Sequence, residues 1–548
     1  QLAESYRLAC RTIPLGDCKV RIPPESLTAP QRTQVEGEEI PVTPEPPVQI
    51  YPVALQTLSL DDLRASAERL VEALAQQHGV VASHIDLATL RELAPGPASE
   101  KWQASVAIRG EEIVGLLPSD ARTLGLAVDL GTTKIAVYLI DLETGKTLNS
   151  RGIMNPQIAY GEDVIARLSF AWREPGGAEK LQELIAEALN RVTGMMCEEG
   201  EFDRASIVEA VVVGNTAMHH LFLRLPVGQL ARSPYVPAVA SALDVKARDL
   251  GLKIAPGAYV HLLPNIAGYV GADHVAMLLA AEVAEAEGVV LALDIGTNTE
   301  VCLANWGKLT SLSCASGPAF EGAHIKHGMR AANGAIEHLR LVGDQVEYQT
   351  IGGAPPVGLC GSGILDALAQ LYQAGVVNRN GYMGVHPRVR EDTTPREFVL
   401  VDGDDRTCGH SGITSAGNTS AGITSAGITF TQKDVRELQL AKGAMRTGIE
   451  VLLETSGLTA VEIDRVIIAG AFGTYIDVTS AMAIGMLPRL PLDRFRQVGN
   501  AAGMGAKLSL ISQSKRAEAQ ALASRVGYIE LATVPQFAKK FAQAMYLG

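Results

Sequence analysis

The sequence predicts an α/β protein in which one domain has been duplicated, and two observations carry that prediction. The first is a pair of matching segments: residues 126–148 read LAVDLGTTKIAVYLIDLETGKTL, and residues 291–313 read LALDIGTNTEVCLANWGKLTSLS. Each opens with an apolar run, breaks at Asp-x-Gly-Thr, resumes as a second strand and turns at a Gly-Lys pair. The second is a later echo. VVVGNT (211–216) and VIIAGAFG (466–473) are both buried-type strands ending in a glycine loop. Asp129 and Asp294 lie far enough apart for each hairpin to open its own domain, so two similar domains should close around one ligand.

The loop chemistry says what that ligand is. A tight glycine turn at Gly131 or Gly296 leaves backbone N–H groups free to meet phosphate oxygens. Thr132, Thr133 and Thr297 add hydroxyl donors, Asn298 an amide and Lys134 a cation. A carboxylate beside a polyphosphate would be repelled unless a cation lay between them. Mg2+ suits that place, because it is held by one or two carboxylates, retained waters and phosphate oxygens. Asp129 and Asp294 are therefore the candidate catalytic residues, organising Mg2+ and the attacking water. For either loop alone, a hairpin whose Asp caps a turn is the competing reading; two matching loops favour a nucleotide.

Composition sets the limits. A chain of 548 residues exceeds one core, so several domains are expected. Its 47% hydrophobic and 20% charged residues are ordinary for a globular enzyme. A net charge of −13 argues against nucleic acid or an anionic membrane as main partner. The most apolar stretch, 276–293, is interrupted by Glu282, Glu285 and Glu287, and the first residues do not read as a signal peptide, so none is expected. Seven scattered cysteines suggest reduced thiols, so the expected location is cytoplasmic.

In chain order, residues 1–24 look too short to bury a core. Residues 25–48, rich in Pro, Glu, Thr and Gln, are expected to form an extended, solvated tether. Residues 49–121 should form a small α/β middle domain, with a helix over 60–77 and strands over 102–108 and 112–117. The duplicated domains follow at 122–290 and 291–548. In the second, about 400–430 holds a near-repeat of ITSAG, expected to be a mobile surface loop without chemistry. Further glycine turns occur at 316–322 (with Gly317), at 358–363 (with Gly361 and Ser362, opening a helix suited to an anion) and at 499–503. His219, His220, His324 and His327 form pairs that no carboxylate or thiol cluster completes.

These motifs resemble the actin-like (ribonuclease H-like) ATPase superfamily of acetate and sugar kinases, heat-shock chaperones and actin. AVDLGTTK and ALDIGTNTE would be its two phosphate motifs, and Gly470, Ala471, Phe472 and Gly473 its adenosine wall. VVVGNT and VGNAAGMGA would be its connecting segments. The chain more closely resembles the reductive activators of corrinoid proteins, through MNPQIAYGEDVIAR (154–167), LPNIAGYVGADHVA (263–276), SGPAFEGAHIKHGMRA (316–331), GLCGSGILDAL (358–368) and TQKDVRELQLAKGA (431–444). That resemblance implies an ATPase coupled to low-potential one-electron transfer. The partner would be a corrinoid/iron–sulfur protein or a methyltransferase corrinoid subunit, returned from Co(II) to Co(I).

It also implies a homodimer, a low-potential electron donor and a ferredoxin-like [2Fe-2S] domain of which residues 1–24 would be the end. Cys10 would be that domain's last cluster ligand. The Cys-x5-Cys-x2-Cys loop bearing the other ligands is absent, and a cluster needs four thiolates. This sequence alone is therefore not expected to hold one. Within the 313–330 loop, Ser316 is a candidate partner contact that could offer its oxygen to cobalt; capping a turn or touching phosphate is the alternative. The rival functions are a small-molecule kinase on the same scaffold and a nucleotide-switched, non-enzymatic scaffold. An activator of 2-hydroxyacyl-CoA dehydratases is disfavoured, because no matching cysteine pair stands out in the ATPase module.

Overall fold

The computed structural model describes residues 35–55, 62–93, 102–402, 414–415, 427–470, 472–473 and 475–548. Cys10, Ala471 and nearly all of the ITSAG repeat lie outside the described residues.

The two hairpins open two six-stranded sheets built on one plan. In the first, the central strand Leu124–Leu130 pairs antiparallel with Lys134–Asp141 and parallel with Ile207–Val213. In the second, Val289–Ile295 pairs antiparallel with Thr299–Asn305 and parallel with Arg465–Ala469. Both central strands are covered on both faces, which is why they read as continuous apolar runs. Within each, the aspartate is the only residue that keeps partial exposure. Register places them equivalently: Asp129 lies opposite Ala136 and Val213, and Asp294 opposite Glu300 and Ala469.

The lobes are joined where the edge strand Phe495–Gly499 passes into the helix Ala501–Ile511. The strand belongs to the second sheet, whereas the helix packs against Ala272–Ala280 and the central strands of the first. A Cβ at Gly505 would lie 2.1 Å from the Ala276 carbonyl oxygen, so only glycine allows this crossing. The helix opens three residues earlier than the run of apolar residues suggests, because Asn500 caps it by accepting from the Gly503 N–H at 2.8 Å. Between the second hairpin and the helix Gln432–Ser456, the second lobe inserts a four-stranded and a three-stranded sheet.

The small N-terminal unit is a four-stranded sheet, with strands in the order Val48–Leu55, Trp102–Arg109, Glu112–Leu117 and His84–Ile85. Its helix spans Ser66–His78 and starts later than expected, because Asp62 and Arg64 bond to each other ahead of it. Ion pairs fix this unit to the first lobe. Asp86 meets Lys246 at 3.1 Å and Arg248 at 2.8 Å, Glu112 meets Lys246 at 3.0 Å, and Arg109 meets buried Glu209 at 3.2 Å.

The expectation of a solvated tether is corrected for residues 35–47. Glu38 N–H donates to Val498 O at 3.1 Å, Asn500 N–H to Glu36 O at 3.0 Å, and Glu45 N–H to Ile511 O at 2.8 Å. Glu38 pairs with Arg496 at 2.9 Å and Glu39 with Lys507 at 2.6 Å. The glutamates that suggest solvation find cations on the second lobe's edge strand and on the connecting helix.

Candidate nucleotide site

The two phosphate-type loops face each other across a single cleft. Thr133 Oγ1 lies 3.0 Å from Thr297 Oγ1, so the duplicated motifs touch. A space of about 1430 Å³, part of it open solvent, lies between them, ample for a nucleoside triphosphate. Asp129, Gly131, Thr132, Thr133 and Lys134 line it from the first lobe. Asp294, Gly296, Thr297, Asn298, Gly361, Ser362, Gly470 and Phe472 line it from the second.

Each loop is held from behind. Asn155 donates to Gly131 O at 2.9 Å, and Asn215, at the cap of Thr216–Phe222, donates to Thr132 Oγ1 at 2.9 Å. Thr297 Oγ1 donates to Glu321 at 2.7 Å. Gly470 adopts φ +91, and a Cβ there would lie 2.5 Å from Ile295 O, so the strand can end beside the second loop only with glycine. Phe472 stacks on Phe320, ring centroids 4.9 Å apart, and forms an aromatic wall above the start of the helix Gly361–Gln373.

Four of the six carboxylates lining the cleft have their pKa raised by burial. Burial pushes Asp129 up to about 6, against a donated bond from Asn500 at 3.0 Å. Burial and the neighbouring Asp129 push Asp273 up to about 7. Asp294 stands well above the usual carboxylate range through burial, Asp273 and Asp129. Glu300 is raised by burial, Asp273 and Asp294. Carboxylates that raise one another this way would be relieved by a cation placed among them. Among the described residues, no three His, Cys, Asp or Glu side chains come close enough to hold a metal directly. The donor set thus suits Mg2+ that keeps its waters and is shared with phosphate oxygens. Burial lowers the pKa of Lys134 and Arg330, both in the cleft, while Glu321 opposes it; these are the cations available to phosphate.

Some expected site residues are elsewhere. Gly317 is not among the residues lining the cleft; its φ of +72 starts the turn Pro318–Glu321. Gly473 does not line the cleft either; its carbonyl accepts from Gln497 at 2.7 Å. Ser316 is 5% exposed, and its hydroxyl is bonded to Thr299 Oγ1, at the start of the strand Thr299–Asn305, at 2.9 Å. It offers no surface to a partner in this conformation, and its hydroxyl caps no turn; it faces the second phosphate-type loop, 3.4 Å from Thr297 O.

Other residues were missed. Glu300 is the register partner of Asp294 in a hairpin that was legible, so pairing the strands would have found it. Asp273 had no such signal: it reaches the cleft because Ala272–Ala280 packs against the loop at Gly214, where a Cβ on Gly271 would lie 2.4 Å from Asn215 Cα. Asn500 arrives from the opposite end of the chain. The described cysteines Cys197, Cys302, Cys314 and Cys360 are buried free thiols with pKa values raised by burial, and they do not fit an iron–sulfur cluster. His220 is likewise occupied in the core, one ring nitrogen on Thr216 O and the other accepting from Ala238 N–H.

Comparison with known proteins assigns the family. Three family models match in sequence: "RACo linker region" over 37–123, "RACo middle region" over 124–286, and "C-terminal domain of RACo the ASKHA domain" over 288–548. The corrinoid activation enzyme RamQ of Eubacterium limosum is 36% identical over 446 residues, covering 81% of this chain and 74% of RamQ. The chain belongs to the RACo family of corrinoid-protein reductive activators. A solved structure of a reductive activator for corrinoid, iron–sulfur protein superposes with a TM-score of 0.79 at 34% identity, covering 100% of this chain and 88% of that one. A more distant relative is the [Co(II) methylated amine-specific corrinoid protein] reductase of Methanosarcina barkeri, 26% identical over 66% of each chain. In the family's own division, the linker region takes in both the docked segment and the small α/β unit. The actin-like α/β fold with an ATPase module is the fold of this chain. No described helix is long and apolar enough to cross a membrane.

Proposed function

We propose that this chain binds and hydrolyses Mg·ATP between its two lobes and uses the cycle to return a corrinoid protein from inactive Co(II) to Co(I). The corrinoid target is supported by what its relatives are named for. The ATPase half is carried by one observation: two copies of one phosphate loop meet at Thr133 and Thr297 over a set of buried carboxylates.

In this reading Gly131, Thr132, Thr133, Lys134, Gly296, Thr297 and Asn298 hold the phosphates. Gly361, Ser362 and Gly470 border them, and Phe472 with Phe320 walls the base. Asp129, Asp273, Asp294 and Glu300 would hold Mg2+, which would supply neutralisation of the charge developing on the transferred phosphoryl group. Asp294, raised by its like-charged neighbours Asp273 and Asp129 as well as by burial, orients the attacking water and takes its proton. The rest of the protein positions these groups, as in phosphoryl transfer generally.

The electron comes from a separate low-potential donor. A gap of ~0.25 V would amount to roughly 6 kcal/mol, which a change of shape can supply only if two states bind the corrinoid protein differently. Lobe closure on ATP and reopening after hydrolysis provide those states. The test mixes this chain, a Co(II) corrinoid protein and a low-potential chemical reductant, and follows the Co(I) absorption band. ATP with Mg2+ should produce the band; formation at the same rate without nucleotide would refute the coupling.

A further inference from the structure

Asp129 is held by a chain of contacts that leaves the cleft and ends on the segment 35–47. Asn500 donates to Asp129 Oδ2 at 3.0 Å and to the Tyr138 hydroxyl oxygen at 3.2 Å. Tyr138 in turn donates to Val35 O at 2.7 Å, and the Asn500 backbone N–H donates to Glu36 O at 3.0 Å. Asn500 thus touches the cleft with its side chain and the segment with its backbone. It also sits where the second lobe's edge strand becomes the helix that packs on the first lobe.

The segment itself spans this joint. Gly37 pairs with Gly499 at the second sheet's edge, and a Cβ on Gly37 would lie 2.6 Å from Met504 Cγ and 2.7 Å from Asn500 O. Pro44 abuts Gly145, the first hairpin's turn, with 3.3 Å to a Cβ built there. At Val48 the segment enters the small sheet, which ion pairs fix to the first lobe. One end is therefore anchored to the first lobe and the middle is paired to the second, so any rotation between the lobes must shift its seat.

We propose that Asn500 is a positioning residue for Asp129 and that residues 35–47 are a strap through which the cleft's nucleotide state is passed to the N-terminal part of the chain. This rests on the nucleotide reading above and adds a route from that site. Nucleotide that draws Asp129 toward its cation pulls on Asn500, and Asn500 pulls on Glu36 and, through Tyr138, on Val35. Conversely, loosening the strap frees Asn500 and lets Asp129 drift.

Hydrogen exchange at the Glu38, Glu45 and Asn500 amides tests this on the unaltered protein, comparing Mg·ADP with a non-hydrolysable Mg·ATP analogue. Protection of Glu38 and Asn500 should differ between the two nucleotides. Equal protection with both bound overturns the strap. The Tyr138→Phe variant keeps the ring and removes the hydroxyl; its kcat for ATP hydrolysis should fall about threefold to tenfold, the equivalent of one net hydrogen bond, with KM little changed. An unchanged kcat, or a kcat and KM that shift together while the protection difference survives, also overturns it. Calorimetric binding of the two nucleotides separates this result from failure of the nucleotide reading: no binding sinks that reading, whereas binding without a protection difference sinks only the strap.

Discussion

At the scale of single residues, the site is defined by charges that oppose one another. Asp294→Ala should abolish ATP turnover while leaving the fold intact, checked by phosphate release alongside circular dichroism. Asp273→Asn should do something less obvious. It removes a carboxylate that raises its neighbours, so the metal-free protein should gain about 1 kcal/mol in denaturant unfolding while its affinity for Mg·ATP falls. The pH dependence follows from the same shifts. Asp129 and Asp273 are held at about 6 and about 7, above their unfolded values, so between about pH 4 and 7 the folded protein binds more protons than the unfolded one. This group's contribution to metal-free stability is therefore full below that window and lost as pH rises through it. Mg·nucleotide should stabilise more at pH 7.5 than at pH 5.5, where it must first displace protons; thermal shifts at the two pH values measure this.

At the scale of elements, glycine decides how closely the pieces approach. The helix Ala501–Ile511 crosses Ala272–Ala280 at Gly505, where a side chain would strike the Ala276 carbonyl. Gly505→Val should force the helices apart and cost about 1–3 kcal/mol in urea unfolding, an overpacking penalty. The same crossing carries Asn500 and Asp273 toward the cleft, so nucleotide affinity should fall too. The hairpins, the glycine loops and the small unit's strands over 102–108 and 112–117 were legible because each is a local pattern of apolar residues bounded by turn residues; that unit's strands Val48–Leu55 and His84–Ile85 were not. The helix start at Ser66 and the early start at Ala501 were not. Both depend on side-chain bonds, Asp62 with Arg64 and Asn500 with Gly503, that no periodicity reports.

At the scale of the whole molecule, two lobes share one cleft and one joint, and ligand should close them. Small-angle scattering should show a smaller radius of gyration with the non-hydrolysable Mg·ATP analogue than with no nucleotide, and Thr133→Ala with Thr297→Ala should weaken that change by removing the contact between the loops. The small N-terminal unit should travel with the first lobe, because Asp86, Glu112 and Arg109 are paired to it through half-buried and buried partners. Replacing Arg248 with Ala should leave Asp86 with one cation fewer and make the small unit's amides exchange faster than those of the first sheet.

The sequence by itself determined that the chain is a duplicated α/β protein, that its paired Asp-x-Gly-Thr loops are equivalent, and that its motifs are those of corrinoid-protein activators. Strand patterns, turn residues and motif order are written along the chain, and a duplication reveals itself by comparison with itself. Tertiary structure alone decided that Asp273, Glu300 and Asn500 join Asp129 and Asp294, that Ser316 turns inward, and that a Pro- and Glu-rich segment is seated across the joint. Those outcomes depend on which distant surfaces pack together. The contact from Asn500 to Asp129, and the salt bridges that hold the segment, form only after both lobes exist.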